Sequence, residues 1–444
     1  MKVIQIPFTY YPDPVGGTEI YVEGLSKHLV TKGVEVVVAA PGNLNEEYEH
    51  NGLKVYRFAV AGDSLKLKAR YGEGDHDAAM EFDKILEKEQ PDIVHIHAFS
   101  SAVSSQLMRK VKDRKIPVLF TYHTPTVSCQ RGTLLKWGKE VCNGKIVVSN
   151  CSACTLHGLG LNQLTSRLLG SIPTYVGKAL ENINLKGGMW TALRTADLIE
   201  TKQAAFQFMM SESEHIVAVC DWVRELLLIN GVPENKITVI RQPIGHLGED
   251  NQIKQERKQN EILKIAFLGR LDPAKGVDVL IKSIQCDKRL PVALDIYGVS
   301  PKDNNSSYVL ELEQRAKNDH RIKFKQPVPN DKIVDLLRQY DVLAVPSQGL
   351  ETGPLVVLEA FAAGIPVIGS NLGGIAELVK HEINGILVES GSIKAWYHNI
   401  KKLYGDHTIL QNVTRGIDSH ASVNEVGNKV LKLYRRCIVE KQEY

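Results

Sequence analysis

The chain has 444 residues, 43% of them hydrophobic and 24% charged, the balance of a soluble globular protein. That length exceeds one ordinary core and suits two domains of roughly 200 residues each. A formal net charge of +3 is nearly neutral for this size and excludes a bulk electrostatic case for nucleic-acid binding. No run approaches the ~20 apolar residues of a membrane span, and the opening Met1–Pro7 is too short and too soon broken for a signal peptide. Cytoplasm is therefore the expected compartment. Seven cysteines, an odd number without a secretion signal, argue against a disulfide framework. The basic stretch Arg109–Lys115 reads as a solvated helix end rather than a membrane or polyanion patch.

Short apolar runs alternate with helix-period segments, the pattern of parallel sheets covered by helices. In the first half, strands are expected at Val3–Ile6, Val34–Ala39, Ile93–Ile96, Val118–Thr121 and Ile216–Val219. Helices are expected at Gly17–Thr31, ended by Gly33, and at Ala78–Glu89, stopped before Pro91. The stretch from Pro125 to Ser213 breaks this rhythm with four cysteines and two expected helices. So long an excursion is usually functional or a partner surface. Polar residues Gly248–Glu261 read as a linker. A second series of strands follows at Leu263–Leu268, Val292–Tyr297, Ile322–Phe324, Val342–Val345, Val367–Gly369 and Gly385–Val388. A basic amphipathic helix at Asn424–Glu443 is expected to return to the first domain. The expected layout is residues 1–245, 246–423 and 424–444, with the excursion at about 125–213. The expected fold class is α/β, two doubly wound domains facing one another with a ligand cleft at the strands' carboxyl ends.

Several loops in this layout carry chemistry. Asp13–Glu19 joins the first strand to the first helix, and Gly16-Gly17 permit a tight turn against a phosphate; a plain glycine-rich turn fits equally well. The pattern is not Gly-x-Gly-x-x-Gly, so the dinucleotide fingerprint is absent. His123 stands just after a strand, where its ring or backbone carbonyl can meet a substrate, while His95 and His97 read as mainly structural. Asp75-His76-Asp77 lies in a polar stretch before a helix and is a poor donor-metal candidate.

The second half carries the stronger signal. Arg270 and Lys275, in Gly269–Gly276, follow a strand and precede a helix, where two cations can hold a diphosphate; two solvated cations are the plain alternative. Ser347–Pro354 follows the strand Val342–Val345 and precedes an apolar helix from Leu355. Gly353 allows close backbone approach, Pro354 suits the first helical position, and the free amides at that helix start face an anion. Glu351 stays in the loop while Glu359 lies eight residues on, within the helix. That helix rise is about 12 Å, too far for an acid/base pair on one bond. The two carboxylates instead suit the two ends of a long ligand, with a sugar's vicinal hydroxyls partnering the buried one.

With these residues in place, the chain resembles the retaining family 4 glycosyltransferases of GT-B architecture over nearly its whole length. The most specific part is Glu351 to Glu359 in ETGPLVVLEAFAAGIPVIGS, followed by Gly373–Glu377 and Asn384-Gly385. The resemblance implies that Arg270 and Lys275 neutralise the donor diphosphate and that Glu351 contacts the donor sugar. It also implies that Glu359 holds the ribose, that Gly16-Gly17 approach the phosphates, and that His123 lies beside the donor sugar. The implied reaction moves a hexose-type sugar, with retention, from a UDP- or GDP-linked donor to a glycan, lipid or small-molecule acceptor, usually without a divalent metal. Peripheral membrane contact is compatible with such acceptors. A non-catalytic sugar-nucleotide binder or an epimerase of the same fold is the alternative, and no pyridoxal lysine for a phosphorylase is identified. Cys129, Cys142, Cys151 and Cys154 resemble an insertion found in a subset of these enzymes. Four thiols ending in Cys-x-x-Cys suit a structural zinc, with unliganded thiols as the alternative.

Overall fold

Buried apolar runs become parallel strands, and the amphipathic segments between them become the helices that cover both faces. The computed structural model describes residues 1–13, 16–62, 65–181, 187–243, 261–299, 307–418 and 422–442. It divides into two units, Met1–Arg241 with Val423–Tyr444, and Gln242–Ser422. Most of the expected linker, up to residue 260, lies outside the described residues.

The first unit contains β1 (Lys2–Ile6), β2 (Glu35–Gly42), β3 (Glu46–His50), β4 (Leu53–Ala59), β5 (Ile93–Ile96), β6 (Val118–Tyr122), β7 (Leu135–Lys136), β8 (Glu140–Val141), β9 (His215–Ala218) and β10 (Ile237–Val239). Eight of these form one sheet in the order β10-β9-β6-β5-β1-β2-β4-β3, parallel except for the β3–β4 pair. β1 is central, and Val3, Ile4 and Ile6 are wholly buried. The chain runs outward from β1 to β2, then returns to β5 on the other side, so the topological switch point falls between β1 and β5.

Three strands of this sheet escaped the sequence reading. β3 is a charged edge strand, EEYEH, of the kind that discourages edge pairing. β4 pairs with it, and β10 has only three residues. Among its described residues the excursion holds four α-helices rather than two helices, at Val148–Gly158, Gln163–Gly170, Thr174–Glu181 and Gly188–Glu212, with the β7–β8 hairpin before them. No described helix is long and apolar enough to cross a membrane.

The C-terminal helix, Val423–Gln442, packs within the first unit. Val430 and Tyr434 are wholly buried, and the His28 ring lies between Asn424 Oδ1 at 2.8 Å and Asn428 Oδ1 at 3.3 Å. A Cβ at Gly427 would lie 2.1 Å from His28 Cδ2, so glycine there lets the two helices approach closely.

The second unit has β11 (Leu263–Arg270), β12 (Val292–Val299), β13 (Ile322–Lys325), β14 (Val342–Val345), β15 (Val367–Ser370) and β16 (Gly385–Val388). Their order is β13-β12-β11-β14-β15-β16, all parallel. Alternate residues face opposite layers. Ile265, Leu294 and Ile296 pack with Leu280, Trp396 and Ile400 on one face. Leu343, Val345 and Val367 pack with Val357, Leu358 and Phe361 on the other. The switch point lies between β11 and β14.

Asp75 has a structural role. Its side chain caps the helix His76–Glu89 by accepting from the amides of Asp77 at 3.0 Å and Ala78 at 3.2 Å, and it also accepts from Ala61 at 2.7 Å. The helix starts two residues earlier than the apolar pattern indicates because this cap supplies the acceptors its first turn needs. Replacing Asp75 with alanine is expected to lower unfolding free energy by about 1–2 kcal/mol, read from urea midpoints. An unchanged midpoint would show that the cap contributes nothing.

Candidate functional site

In the second unit, the loops leaving β11 and β14 come together because their strands are neighbours. Gln348 N–H donates to the Ala274 carbonyl at 2.7 Å. Gly276 adopts the left-handed conformation (φ 70°), and a Cβ there would fall 1.9 Å from the Pro346 carbonyl oxygen. No other residue fits this turn without opening the contact.

Arg270 ends β11, and Lys275 ends the short turn Pro273–Lys275, whose start is capped by Asp272 accepting from Ala274 N–H at 2.9 Å. Lys275 Nζ lies 2.5 Å from Glu351 Oε1, and Ser347 Oγ donates to the same oxygen at 2.9 Å. Burial alone would raise the Glu351 pKa, but Lys275, Ser347 and Arg270 outweigh it and hold the carboxyl below its ordinary range. Arg270 is 72% exposed and lies 3.4 Å from Asp272, so its fork can swing to a ligand. The structure brings together Arg270, Lys275 and Glu351, the three residues that the sequence singles out in these loops. Ser347 had escaped notice.

The helix Leu355–Ala362 follows, with Pro354 as its cap rather than its first residue. Val357 N–H donates to the Pro354 carbonyl at 3.0 Å, while the amides of Leu355 and Val356 have no intrahelical acceptor. Gly353 lies against the Gln242 side chain, where a Cβ would approach Oε1 to 2.9 Å. A Cβ at Gly374 would lie 2.7 Å from the Glu351 carbonyl, which accepts from Gly374 N–H at 2.6 Å; that glycine fixes the backbone that carries Glu351. Glu359 sits on the half-buried side of the helix, and its carboxyl makes no hydrogen bond or ion pair among the described residues. Burial raises its pKa to about 7.

In the first unit, Gly16 N–H is already taken, donating to Glu19 Oε2 at 2.8 Å. The Gly16 backbone is extended (φ −111°, ψ −167°), so no left-handed turn demands glycine there. A Cβ at Gly16 would meet nothing closer than that carboxylate at 3.4 Å, so the fold leaves open space at the residue. Gly17 begins the helix. Arg57, from the unforeseen β4, braces the preceding loop by donating to the Tyr10 carbonyl at 2.9 Å and pairing with Asp13 at 2.5 Å.

His123 follows β6 and is 3% exposed. Its Nε2 lies 3.0 Å from His97 Nδ1, whose Nε2 lies 2.6 Å from Gln5 Oε1. The Tyr21 ring packs against it edge-on at 4.8 Å. Burial lowers the His123 pKa from 6.5 to about 3, so the ring is neutral at ordinary pH. His97, read from sequence as mainly structural, is thus the direct partner of His123. Lys202 donates to the Thr126 carbonyl at 2.6 Å just beyond, and burial lowers its pKa to about 7.

The cysteine expectation needs correction. Cys129, Cys142, Cys151 and Cys154 are half-buried free thiols, and among the described residues no group of three or more His, Cys, Asp or Glu side chains is arranged to hold a metal ion. Local partners engage three of the sulfurs: Cys154 Sγ contacts the Leu135 carbonyl at 3.7 Å and the Arg131 guanidinium at 3.6 Å, Cys142 Sγ accepts from Gly144 N–H at 3.5 Å, and Cys151 meets the Val147 backbone. Burial pushes the Cys151 thiol up to about 11, and the neighbouring cysteines add to the effect. The zinc reading is therefore not upheld.

Glu359 yields a signed prediction. Its folded pKa, about 7, exceeds the ordinary 4.5, so its stabilising protonated state is fully present below pH ~4.5 and lost as pH rises through about 7. Without ligand, E359Q should therefore gain in urea midpoint over the parent between pH 5 and pH 8. A constant difference across that range would contradict the buried, unpartnered carboxyl.

Comparison with known proteins is consistent with this geometry. The model for glycosyl transferases group 1 matches residues 248–415, and that for glycosyltransferase family 4 matches residues 15–166. An uncharacterized glycosyltransferase of Methanocaldococcus jannaschii is 23% identical over 457 residues, covering 98% of each chain. The D-inositol 3-phosphate glycosyltransferase of Salinispora tropica is 30% identical over 187 residues, 40% of this chain and 39% of that protein. Among solved structures, sucrose-phosphate synthase from Thermosynechococcus elongatus superposes with a TM-score of 0.68 at 16% identity, covering 99% of both chains. Anabaena HepE in complex with UDP and glucose gives 0.61 at 15% identity, covering 98% of this chain and all of that one. The chain belongs to the family 4 glycosyltransferases and has their two-domain, parallel-sheet α/β fold.

Proposed function

We propose that the chain transfers a hexose-type sugar, with retention, from a nucleotide diphosphate donor, UDP- or GDP-linked, to a glycan, lipid or small-molecule acceptor. The observation that carries this reading is the set of groups at the β11–β14 switch point: an exposed Arg270, a Lys275–Glu351 pair at 2.5 Å and, midway along the helix that follows, a Glu359 with no partner among the described residues. Arg270, Lys275 and the first amides of the helix Leu355–Ala362 suit the diphosphate, because cations and a helix start both favour anions. Glu359 suits the ribose hydroxyls, which would supply the partners its carboxyl lacks. Glu351, kept ionised by Lys275, suits a hydroxyl of the donor sugar. A structural neighbour bound to UDP and glucose supports the donor class.

In this mechanism no enzyme nucleophile is needed. As the bond from the anomeric carbon to the diphosphate oxygen breaks, Arg270 and Lys275 stabilise the negative charge gathering on the leaving group. The acceptor hydroxyl attacks from that same face, and its proton passes to the departing phosphate oxygen. In this reading His123 and the Gly16-Gly17 turn are the first unit's candidates for a part in the reaction, and the donor chemistry requires no divalent metal.

Loss of one charge-stabilising group typically costs about 100- to 1,000-fold in kcat, so R270A and K275A should each fall in that range with the fold intact. A panel of UDP- and GDP-linked sugars should include one that raises the thermal midpoint of the parent protein, and NMR of its transfer product should show the donor's anomeric configuration. Transfer that survives the double R270A/K275A substitution would refute the mechanism.

A further inference from the structure

We propose that Tyr434 and Gln5 are positioning residues that set which ring nitrogen of His123 carries the proton. The inference rests on the reading above, in which His123 serves the transfer reaction. Its basis is a continuous buried chain of hydrogen bonds. His123 Nε2 meets His97 Nδ1 at 3.0 Å, His97 Nε2 meets Gln5 Oε1 at 2.6 Å, and Gln5 Nε2 meets the Tyr434 hydroxyl at 2.9 Å. That hydroxyl meets His95 Nδ1 at 2.7 Å, and His95 Nε2 meets Thr121 Oγ1 at 2.7 Å. Gln5, His95, His97, Thr121 and Tyr434 are at most 1% exposed, so water does not compete for these bonds.

A neutral imidazole has one donor and one acceptor nitrogen, and the Gln5 amide and Tyr434 hydroxyl each use one donating and one accepting function here. All three histidines are held neutral by burial. The bonds can therefore run in only two directions. With Gln5 Oε1 toward His97, that ring carries its proton on Nε2 and accepts from His123 Nε2–H. Gln5 Nε2 then donates to the Tyr434 hydroxyl, which donates to His95 Nδ1, so His95 also carries its proton on Nε2. Turning the Gln5 amide over reverses every bond and puts all three protons on Nδ1. The rings of His95, His97 and His123 thus share one tautomer, and Tyr434 is the link that ties His95 to the other two. That link arrives on the C-terminal helix, 429 residues from Gln5 in sequence.

Nitrogen-15 NMR of histidine-labelled protein tests this. In the full-length parent, all three rings should show the same tautomer, Nε2–H for the amide orientation described. In Y434F, His95 should uncouple and His123 should show a changed or mixed tautomer. With a nucleotide sugar that supports transfer, kcat should fall about tenfold, one hydrogen bond's worth, with the nucleotide Kd unchanged because the diphosphate grip lies in the other unit. A mixed set of tautomers in the parent would overturn the proposal without any variant. So would an unchanged His123 tautomer in folded Y434F. Should the parent transfer no sugar, the functional reading would fail, while the NMR comparison would still decide the coupling.

Discussion

The second unit depends on how closely two loops can approach at its switch point. β11 and β14 are adjacent parallel strands whose onward connections lead to opposite sides of the sheet, so the loops at their carboxyl ends diverge unless something ties them. Gly276 against the Pro346 carbonyl and Gln348 on the Ala274 carbonyl tie their backbones. Lys275 on Glu351 ties their side chains. A carboxylate in so enclosed a place would otherwise gain a proton. The lysine, seconded by Ser347 and Arg270, keeps it charged. Two oppositely charged groups are thereby held ready without ligand, and a diphosphate sugar needs contacts of both kinds: cations for its phosphates and an acceptor for its hydroxyls.

Glu359 shows the contrasting strategy. It shares the loop-and-helix segment with Glu351 but makes no ion pair among the described residues, and burial drives its pKa up rather than down. A group left unsatisfied by the fold is costly, and this one sits midway along a helix whose start favours anions. In the first unit polar groups are handled differently again. The buried histidines are satisfied by one another, by Gln5 and by Tyr434, so the centre of the sheet carries a polar chain without carrying charge.

Much of the second unit was legible in the sequence because its strands are buried on both faces and read as apolar runs with loops between them. The loops at the carboxyl ends could then be named, and Arg270, Lys275, Glu351 and Glu359 with them. Local rules were right to within two residues: Pro354 caps its helix instead of starting it, and Asp75 brings its helix in two residues early. What stayed hidden depends on contacts distant in sequence. Nothing near Gly276 announces the Pro346 carbonyl, and nothing near His97 announces Tyr434. β3 was hidden because an edge strand can be mostly charged. The cysteines were over-read, since spacing along a chain does not say where thiols point. Asn384-Gly385, part of the family pattern, proves to brace the fold here: Asn384 Oδ1 accepts from Lys380 N–H at 2.7 Å, and a Cβ at Gly385 would lie 2.3 Å from the Val367 carbonyl.

The most direct test of the donor-site account is a crystal structure of the protein grown with the nucleoside diphosphate of whichever donor it accepts. The account predicts the diphosphate against Arg270, Lys275 and the first amides of the helix Leu355–Ala362, with both ribose hydroxyls on Glu359. A nucleotide bound elsewhere, or bound there with its ribose turned away from Glu359, would contradict it.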